Sequence, residues 1–123
     1  KAFLNENIVV NQNAIFGFLY VEDLVQIVEK FIIHNPEPGD YNVCNNEDLE
    51  LIKIAEIVNL LGNKKEIIVN KSGISTSYSG DNSKLMKLFP EIKFTPIEEG
   101  AKEIFNYYSE NPQVIDKTKF LIK

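Results

Sequence analysis

The sequence has no arginine, one cysteine and one histidine among its 123 residues, and the last two counts each exclude a class of site. Cys44 has no second cysteine to pair with, so an internal disulfide is excluded and a reducing cytoplasm is the expected compartment. His34 and Cys44 are too few ligands for a closed zinc site. A formal net charge of −5 argues against general affinity for nucleic acid. No apolar run approaches membrane-spanning length, so we expect no membrane partner.

Length and composition predict one globular domain. With 123 residues, of which 44% are hydrophobic, the chain is large enough to bury a core. It begins Lys1-Ala2-Phe3 without an initiator methionine and has no apolar run of signal-peptide length, so we expect a fragment of a longer polypeptide. Cys44 is interpreted as a small buried hydrophobe rather than a reactive thiol, because no paired histidine is available to activate it.

Strand-like and helical patterns alternate along the chain, which predicts an α/β or α+β class. The predicted strands are 8–10, 18–21, 41–44 and 67–69. The predicted helices are 23–34, 49–61 ended by Gly62, one after Asp81 and one from Thr95. Residues 11–13 are expected to turn the chain and residues 71–79 to lack regular structure. Residues 111–123 are expected to form a tail, whose Phe120-Leu121-Ile122 is apolar enough to dock on an unidentified surface.

The predicted helices carry local capping signals. Asp23 and Asp81 are expected to be N-caps, because a capping side chain satisfies free backbone donors and contributes about 1 kcal/mol. Thr95 is the expected cap of the last helix, with Pro96 at its first position and Glu98 completing a capping box.

Three segments, in order, resemble blocks of one protein family. Residues 16–24, FGFLYVEDL, resemble "R-D-F-x-Y-V-x-D-L/V". Residues 41–43 followed by 51–55 resemble "Y-N-V-G … S-I-x-E-L-A", and residues 78–100 resemble "Y-x-x-D-x-S-K-L … P-x-x-x-L-x-E-G-I". These blocks are similar to the C-terminal part of the NAD-dependent epimerase/dehydratase family, the extended short-chain dehydrogenase/reductases that act on nucleotide sugars.

The resemblance implies that the family's catalytic half lies outside this sequence. No glycine-rich phosphate turn follows a strand, and no tyrosine is followed four residues later by a lysine. In the family, that lysine binds the cofactor ribose and lowers the tyrosine pKa. We therefore expect an α/β substrate-binding domain with the Rossmann half absent, which has no cofactor of its own and is not catalytic alone. The complete protein is expected to use NAD or NADP.

The resemblance also implies which residues face the nucleotide diphosphate. The family's arginine at the start of the first block corresponds to Phe16, its aspartate to Gly17 and its aromatic residue to Phe18. A main anionic contact is therefore missing from this chain. Another residue replaces it, the substrate sits differently, or the site has decayed.

A second anchor in the family is an "R-x-G-D" sequence before the third block. Here the matching residues are Lys71, Gly73 and Ile74. Lys71 keeps the charge without the bidentate geometry of arginine, and an ordinary solvated lysine is the alternative. Ile74 cannot accept a bond from a ribose hydroxyl. Leu51 falls where the family packs a residue on the base, with core packing as the alternative.

Several other polar and aromatic residues are interpreted as structural. They comprise Glu22, Asp23, Glu98 and Glu99 at helix N-termini, Asp81 with Lys84 as a surface pair, Tyr20 packed on a strand, and Tyr107 with Tyr108 divided between core and rim.

Three functional hypotheses follow. The leading one is the substrate-binding domain of an NAD(P)-dependent nucleotide-sugar epimerase, dehydratase or reductase, with epimerisation as first choice. Its partners would be a nucleotide sugar and the missing Rossmann half, with a homodimer possible for the complete protein. The second is a non-catalytic binding or assembly module of a degenerate family member. The third is an unrelated small α/β domain with well-capped helices.

Overall fold

The computed structural model describes residues 1–116, which form four helices and two small two-stranded sheets. The helices are α1 (Val21–His34), α2 (Leu51–Leu61), α3 (Ser83–Leu88) and α4 (Ile97–Glu110), and the strands are β1 (Ile8–Asn13), β2 (Ile15–Gly17), β3 (Asp48–Glu50) and β4 (Ile67–Ile74). Short 3-10 turns occupy Ala2–Leu4 and Pro112–Val114. The predicted docking segment Phe120-Leu121-Ile122 lies outside the described residues. The mixed α/β class is confirmed.

The β1–β4 pair is parallel and longer than the sequence indicated. Residues 11–13 were predicted to turn the chain, but β1 continues to Asn13 because β4 runs beside it as far as Ile74. The first half of the segment 71–79, expected to lack regular structure, is therefore strand. A register shift between Gln12 and Asn13 interrupts the ladder near its end.

The second pair, β2 with β3, differs from the prediction in both strands. The strand predicted at 18–21 is wrong: pairing covers Ile15–Gly17 and the helix already begins at Val21. Its antiparallel partner is Asp48–Glu50, although the helix was predicted to begin at 49 and in fact begins at Leu51. The strand predicted at 41–44 has no ladder within residues 1–116.

The core lies between α1 and α3. Ile27, Leu85 and Phe89 are buried together, and five partly buried side chains pack around them. Those five are Phe31, Val43, Leu88, Ile92 and Phe94. The Phe31 and Phe89 rings meet edge to face with centroids 5.4 Å apart, a geometry that aromatic pairs favour. Outside this core, α2 packs on β1 and on α4.

Asp23 and Thr95 were predicted to cap separate helices, and both predictions are wrong. Tyr20 is the N-cap of α1 and Pro96 that of α4, and neither forms a side-chain capping bond. Instead, Asp23 is buried in the first turn of α1 and its carboxylate accepts two hydrogen bonds from Thr95. The Thr95 backbone N–H donates over 2.9 Å and its Oγ1 over 2.7 Å. The predicted capping box with Glu98 is therefore absent.

The start of α3 is one residue later than predicted. Asn82 is the N-cap, and it is buried with its Nδ2 donating to the Cys44 carbonyl over 2.7 Å. Asp81 precedes it, yet its Oδ1 accepts the Ser83 backbone N–H over 2.8 Å and also the Ser83 hydroxyl. Asp81 therefore does bind a free backbone N–H at the start of α3, as predicted, but it stands one residue before the N-cap.

Two further predictions about polar and aromatic pairs are wrong. Lys84 does not pair with Asp81: its Nζ donates to the Asp40 carbonyl over 2.8 Å and lies 4.2 Å from the Tyr41 ring centroid. Tyr107 and Tyr108 do not divide between core and rim, because both are exposed on α4 and stack edge to face on each other.

Gly62 ends α2 as predicted. Glycine commonly ends helices because it can adopt a left-handed conformation, but that is not the reason here. Its φ is −99°, which any residue adopts. A Cβ at this position would lie 2.8 Å from the Ala2 carbonyl oxygen, which is closer than real Cβ atoms approach. Glycine is therefore required by the close passage of the N-terminal turn.

The Asp81–Ser83 bonds give a pH-dependent contribution to stability. They lower the pKa of the Asp81 carboxyl, so the folded state favours the ionised form. The contribution is present above the unfolded pKa of about 3.9 and is lost as pH falls through the lower folded value. We expect Ser83→Ala to raise the Asp81 midpoint towards the ordinary range in a carbon-detected NMR titration. Ser109→Ala, whose hydroxyl bonds only the Phe105 carbonyl, should leave it unchanged.

Candidate functional site

One short stretch of chain brings together parts of the molecule that are distant in sequence. Residues 13–17, here called the central segment, lie between the 75–78 stretch and the start of α2. The Ser75 N–H donates to the Asn13 carbonyl over 2.7 Å and the Tyr78 N–H to the Ile15 carbonyl over 3.0 Å. On the other side, the Leu51 N–H donates to the Ala14 carbonyl over 2.8 Å. The central segment is therefore held by backbone bonds on both sides.

Asn13 fixes the geometry of this junction. Its side chain is buried, with Nδ2 donating to Glu50 Oε2 over 2.7 Å and Oδ1 accepting the Ile52 N–H over 3.2 Å. These bonds anchor the N-terminus of α2 against β1, because a helix start has free backbone donors that need partners. Sequence reasoning missed this role and assigned Asn13 to a turn. The available signal was the amide side chain at the end of an apolar strand.

Three of the five predicted site residues lie on the central segment or directly beside it. Phe16 lies on it, pairs with Leu49 of β3 and forms an isolated bridge to Tyr78. Phe18 follows, and its ring lies edge to face with that of Phe16 at 6.2 Å between centroids. Leu51 is the first residue of α2 and is bonded to the segment through its backbone.

The other two predicted residues lie on β4. Ile74 pairs with Asn13 at the end of the strand and is exposed. Lys71 pairs with Gln12, one ladder position earlier, with an exposed side chain. The five predicted positions are therefore divided between the two sheets: Lys71 and Ile74 lie on β4, Phe16 on β2, and Phe18 and Leu51 directly after β2 and β3.

Tyr78 is a site residue that the sequence analysis did not single out. It is 78% exposed although it is aromatic, and its backbone is held beside Phe16. Exposed aromatic rings fixed by their backbone provide stacking surfaces for planar ligands. The available signal was its place as the first residue of the third family-like block.

Phe18 and Leu51 line two different cavities among the described residues. A cavity of about 630 Å³ lies between the N-terminal turn, α2 and α4, and Phe18 and Tyr20 contribute to its wall. A smaller one of about 340 Å³ lies between β1 and α2 and includes Leu51. Both are lined mainly by apolar side chains, which suit packing more than binding of a diphosphate.

The titratable groups near the site favour structural roles. Burial, with Asp48 and Asp81 nearby, raises the pKa of the Cys44 thiol, which makes it a poorer nucleophile. The Tyr20 hydroxyl donates to Glu103 Oε2 over 2.7 Å, and this bond raises the pKa of Tyr20 to about 12. Within residues 1–116, no group of three metal-binding side chains is placed to hold an ion, and no helix has the length and hydrophobicity of a membrane span.

Comparison with known proteins identifies the fold through solved structures. No family model matches the sequence, and no curated protein matches it. The structure of a GDP-L-fucose synthetase from Naegleria fowleri bound to NADP is similar with a TM-score of 0.77 at 19% identity, over 93% of this chain and 36% of that one. A second structure of a GDP-L-fucose synthetase from that organism gives a TM-score of 0.75 at 20% identity, over 89% and 35%.

A dTDP-glucose 4,6-dehydratase from Bacillus anthracis in complex with NAD is also similar. Its TM-score is 0.72 at 18% identity, over 88% of this chain and 35% of that one. Both kinds of enzyme belong to the family that the three sequence blocks resemble. The chain spans about a third of the length of these structures. At such identities the likeness shows the fold alone: this chain has the fold of part of these enzymes.

Proposed function

We propose that this chain is the C-terminal, substrate-binding domain of an NAD(P)-dependent nucleotide-sugar epimerase or dehydratase, and that it is not catalytic alone. The observation that carries the proposal is that Tyr78 and Ile74 lie beside Phe16 and Asn13 of the central segment. Phe16 and Tyr78 begin the first and third family-like blocks, Ile74 ends the strand before the third block, and the fold is that of part of two nucleotide-sugar enzymes.

The chemistry available at the central segment suits the nucleotide end of such a substrate. Phe16 and the exposed Tyr78 offer ring surfaces for a base, and Lys71 supplies a positive charge on the neighbouring strand. A lysine binds phosphate as a point charge and lacks the paired donors of arginine. We therefore expect weaker phosphate discrimination than a site built on arginine would give.

The reaction belongs to the complete polypeptide. There, a dinucleotide-binding half would carry NAD or NADP and exchange hydride with a sugar carbon, and this domain would hold the nucleotide diphosphate. Epimerisation remains the first choice, with dehydration and reduction as alternatives. Guanosine and deoxythymidine diphosphate sugars are the first substrates to examine, because the similar structures are enzymes named for them.

The test is binding of GDP- and dTDP-linked sugars to the complete polypeptide. We expect Lys71→Ala to weaken binding about tenfold, or about 1.4 kcal/mol, because one charged phosphate contact is lost. Lys71→Arg should retain or improve it. The matched control is Lys65→Ala, an exposed lysine before the other end of β4, which should leave affinity unchanged.

Equal losses for Lys65→Ala and Lys71→Ala would indicate a general charge effect and contradict the assignment. The amide signals of residues 68–80 provide an independent readout. If a nucleotide sugar binds and none of these signals shifts, residues 68–80 are not part of the site.

A second candidate function is a non-catalytic binding or assembly module. Phe16 in place of the expected arginine, and Ile74 in place of the expected acid, favour it. Both changes remove polar contacts to a nucleotide. The two candidates differ in the complete polypeptide: a catalytic protein binds NAD or NADP and oxidises or reduces a bound sugar, whereas a degenerate one does neither.

A further inference from the structure

Helix α2 begins without a capping side chain of its own. Its N-cap is Glu50, which is not one of the residue types that usually cap helices, and the Glu50 side chain makes no capping bond. The backbone N–H of Ile52, which a capping side chain would accept, donates instead to Asn13 Oδ1 of β1 over 3.2 Å. The first turn of α2 is therefore capped from a strand that lies 39 positions away in the sequence.

The Glu50 carboxylate completes this arrangement. Its Oε2 accepts a hydrogen bond from Asn13 Nδ2 over 2.7 Å, a distance typical of charge-assisted bonds. Because a carboxylate can only accept, the Asn13 amide has one possible orientation, with Nδ2 towards Glu50 and Oδ1 towards the Ile52 N–H. Asn13 is 7% exposed and Glu50 is exposed. The buried amide is therefore fixed by two partners, both at the start of α2.

The backbone of Asn13 holds the opposite side of the central segment. Its carbonyl accepts the Ser75 N–H over 2.7 Å. From Ser75 the chain continues to Tyr78, whose N–H donates to the Ile15 carbonyl over 3.0 Å. Asn13 therefore holds the start of α2 through its side chain and the 75–78 stretch through its backbone, which are the two flanks of the central segment.

The β1–β4 ladder is irregular at this residue. In β1 the pairing advances by one residue, from Gln12 to Asn13. In β4 it advances by three, from Lys71 to Ile74, and Gly73 between them has a left-handed φ of 77°. Extra residues in one strand bend it and are frequent beside functional sites, where they redirect the chain. Asn13 is thus the point at which β4 is held again after the irregularity, before it reaches the central segment.

We propose that Asn13 and Glu50 are positioning residues of the nucleotide-binding site. Their bonds set the separation between the start of α2 and Tyr78, on the two sides of Phe16, and neither residue contacts the nucleotide. The inference rests on the proposed function. Rings that bind a planar base need a fixed separation, and a site holds its geometry when the supporting side chains are themselves locked by hydrogen bonds.

The choice of residues favours a positioning role over capping alone. A serine, threonine or aspartate at position 50 would cap α2 within its own chain segment. A cap supplied by Asn13 instead couples the start of the helix to β1 and, through the Asn13 carbonyl, to Ser75. A displacement of one flank of the central segment therefore displaces the other.

The test exchanges the donor and the acceptor of the pair in the complete polypeptide. Asn13→Asp keeps an acceptor for the Ile52 N–H but removes the donor and places a second carboxylate against Glu50. We expect it to weaken binding of a GDP- or dTDP-linked sugar about tenfold. Adding Glu50→Gln supplies an amide donor from the other side of the pair, so the double variant should bind within about threefold of the parent.

The matched control is Asn11→Asp. Asn11 is exposed on the same strand, two residues before Asn13, so it receives the same chemical change without a buried pair. We expect the affinity for the nucleotide sugar to be unchanged. A loss equal to that of Asn13→Asp would attribute the effect to added negative charge and would overturn the proposal.

A second variant serves if Asn13→Asp does not fold. Glu50 is exposed, so Glu50→Ala removes the carboxylate and leaves the bond between Ile52 and Asn13 in place. We expect it to weaken nucleotide-sugar binding about fivefold, and Glu47→Ala, at another exposed carboxylate three residues earlier, to leave binding unchanged. Parental affinity for Glu50→Ala would overturn the proposal.

A pair that only stabilises the fold gives a different result. Asn13→Asp would then lower the unfolding midpoint, while the folded variant, measured below that midpoint, would bind with parental affinity and overturn the proposal. Amide signals of the ligand-free polypeptide give a second readout. Those of Leu51 and Tyr78 should both shift in Asn13→Asp and both return in the double variant. A shift of Leu51 alone would show that the two flanks are independent and would also overturn the proposal.

Failure of this inference is distinguishable from failure of the proposed function. If the parent binds a nucleotide sugar and Lys71→Ala weakens binding while Asn13→Asp does not, the proposed function stands and the positioning role is wrong. If the parent binds neither a GDP-linked nor a dTDP-linked sugar, the proposed function fails and the positioning role fails with it.

Discussion

Replacing Asp23 by alanine is expected to destabilise the protein by about 3 kcal/mol. The Asp23 side chain is buried, with 4% of the residue exposed, and accepts the Thr95 backbone N–H over 2.9 Å and the Thr95 hydroxyl over 2.7 Å. Hydrogen bonds to a charged group contribute more than neutral ones, and removal of the acceptor leaves a partly buried backbone donor without a partner. Urea unfolding monitored by circular dichroism measures the loss.

The control for Asp23→Ala is the same substitution at the preceding residue, Glu22. Glu22 is an exposed carboxylate in the same helical turn, so Glu22→Ala should change stability by less than about 0.5 kcal/mol. Thr95→Ala removes only the hydroxyl bond and should cost about half as much as Asp23→Ala, while Thr95→Ser should restore most of it. A similar loss for Glu22→Ala and Asp23→Ala would attribute the effect to the helix dipole rather than to the bonds with Thr95.

The Asp23–Thr95 contact also shows where local sequence reasoning stops. Both residues have the chemistry of helix caps, and both stand within two residues of a helix start. What decides their bonding is that the chain brings them together across 72 positions. A capping preference of about 1 kcal/mol is easily outweighed by a buried pair of charge-assisted bonds.

The helices could be predicted and most strand limits could not. The apolar spacing of α1 and α2 is contained in each segment, so both helices were placed to within two residues. Strands depend on a partner elsewhere: β1 extends to Asn13 only because β4 extends to Ile74. Residues 49 and 50 were predicted to begin the second helix, and residues 48–50 form a strand because Ile15–Gly17 lies beside them.

In the candidate site, too, features set by local sequence could be predicted and those set by distant residues could not. Phe16 lies on the central segment and Ile74 pairs with Asn13 at its start, and a contact of either residue with a nucleotide stays a prediction from the family-like blocks. They could not reveal Asn13, whose role depends on Glu50 and Ile52 from a different part of the chain. Nor could they show that Phe18 and Leu51 line different cavities, because Phe18 lies between β2 and α1 and Leu51 at the β3–α2 boundary, and neither boundary was predicted correctly.

The largest loss of stability is expected for Leu85→Ala, at about 3–4 kcal/mol. Leu85 is 0% exposed and packs with Ile27 and Phe89 at the centre of the α1–α3 core. Truncation removes its apolar contacts and leaves a cavity that rigid aromatic neighbours fill poorly, so the cost is above that of transfer alone. Calorimetry and urea unfolding should both report it.

The matched control is Leu60→Ala, in the last turn of α2, where leucine is 66% exposed. Alanine and leucine are both good helix formers, so this change should cost less than about 0.5 kcal/mol. The contrast tests the position of the core itself, because Leu85 is one of three apolar side chains that form its buried centre within residues 1–116. A loss of 3–4 kcal/mol is a large part of the 5–15 kcal/mol that holds an ordinary domain folded, so Leu85→Ala should leave a measurable unfolded population in dilute buffer. Equal stability of the Leu60 and Leu85 variants would mean that α1 and α3 do not carry the core.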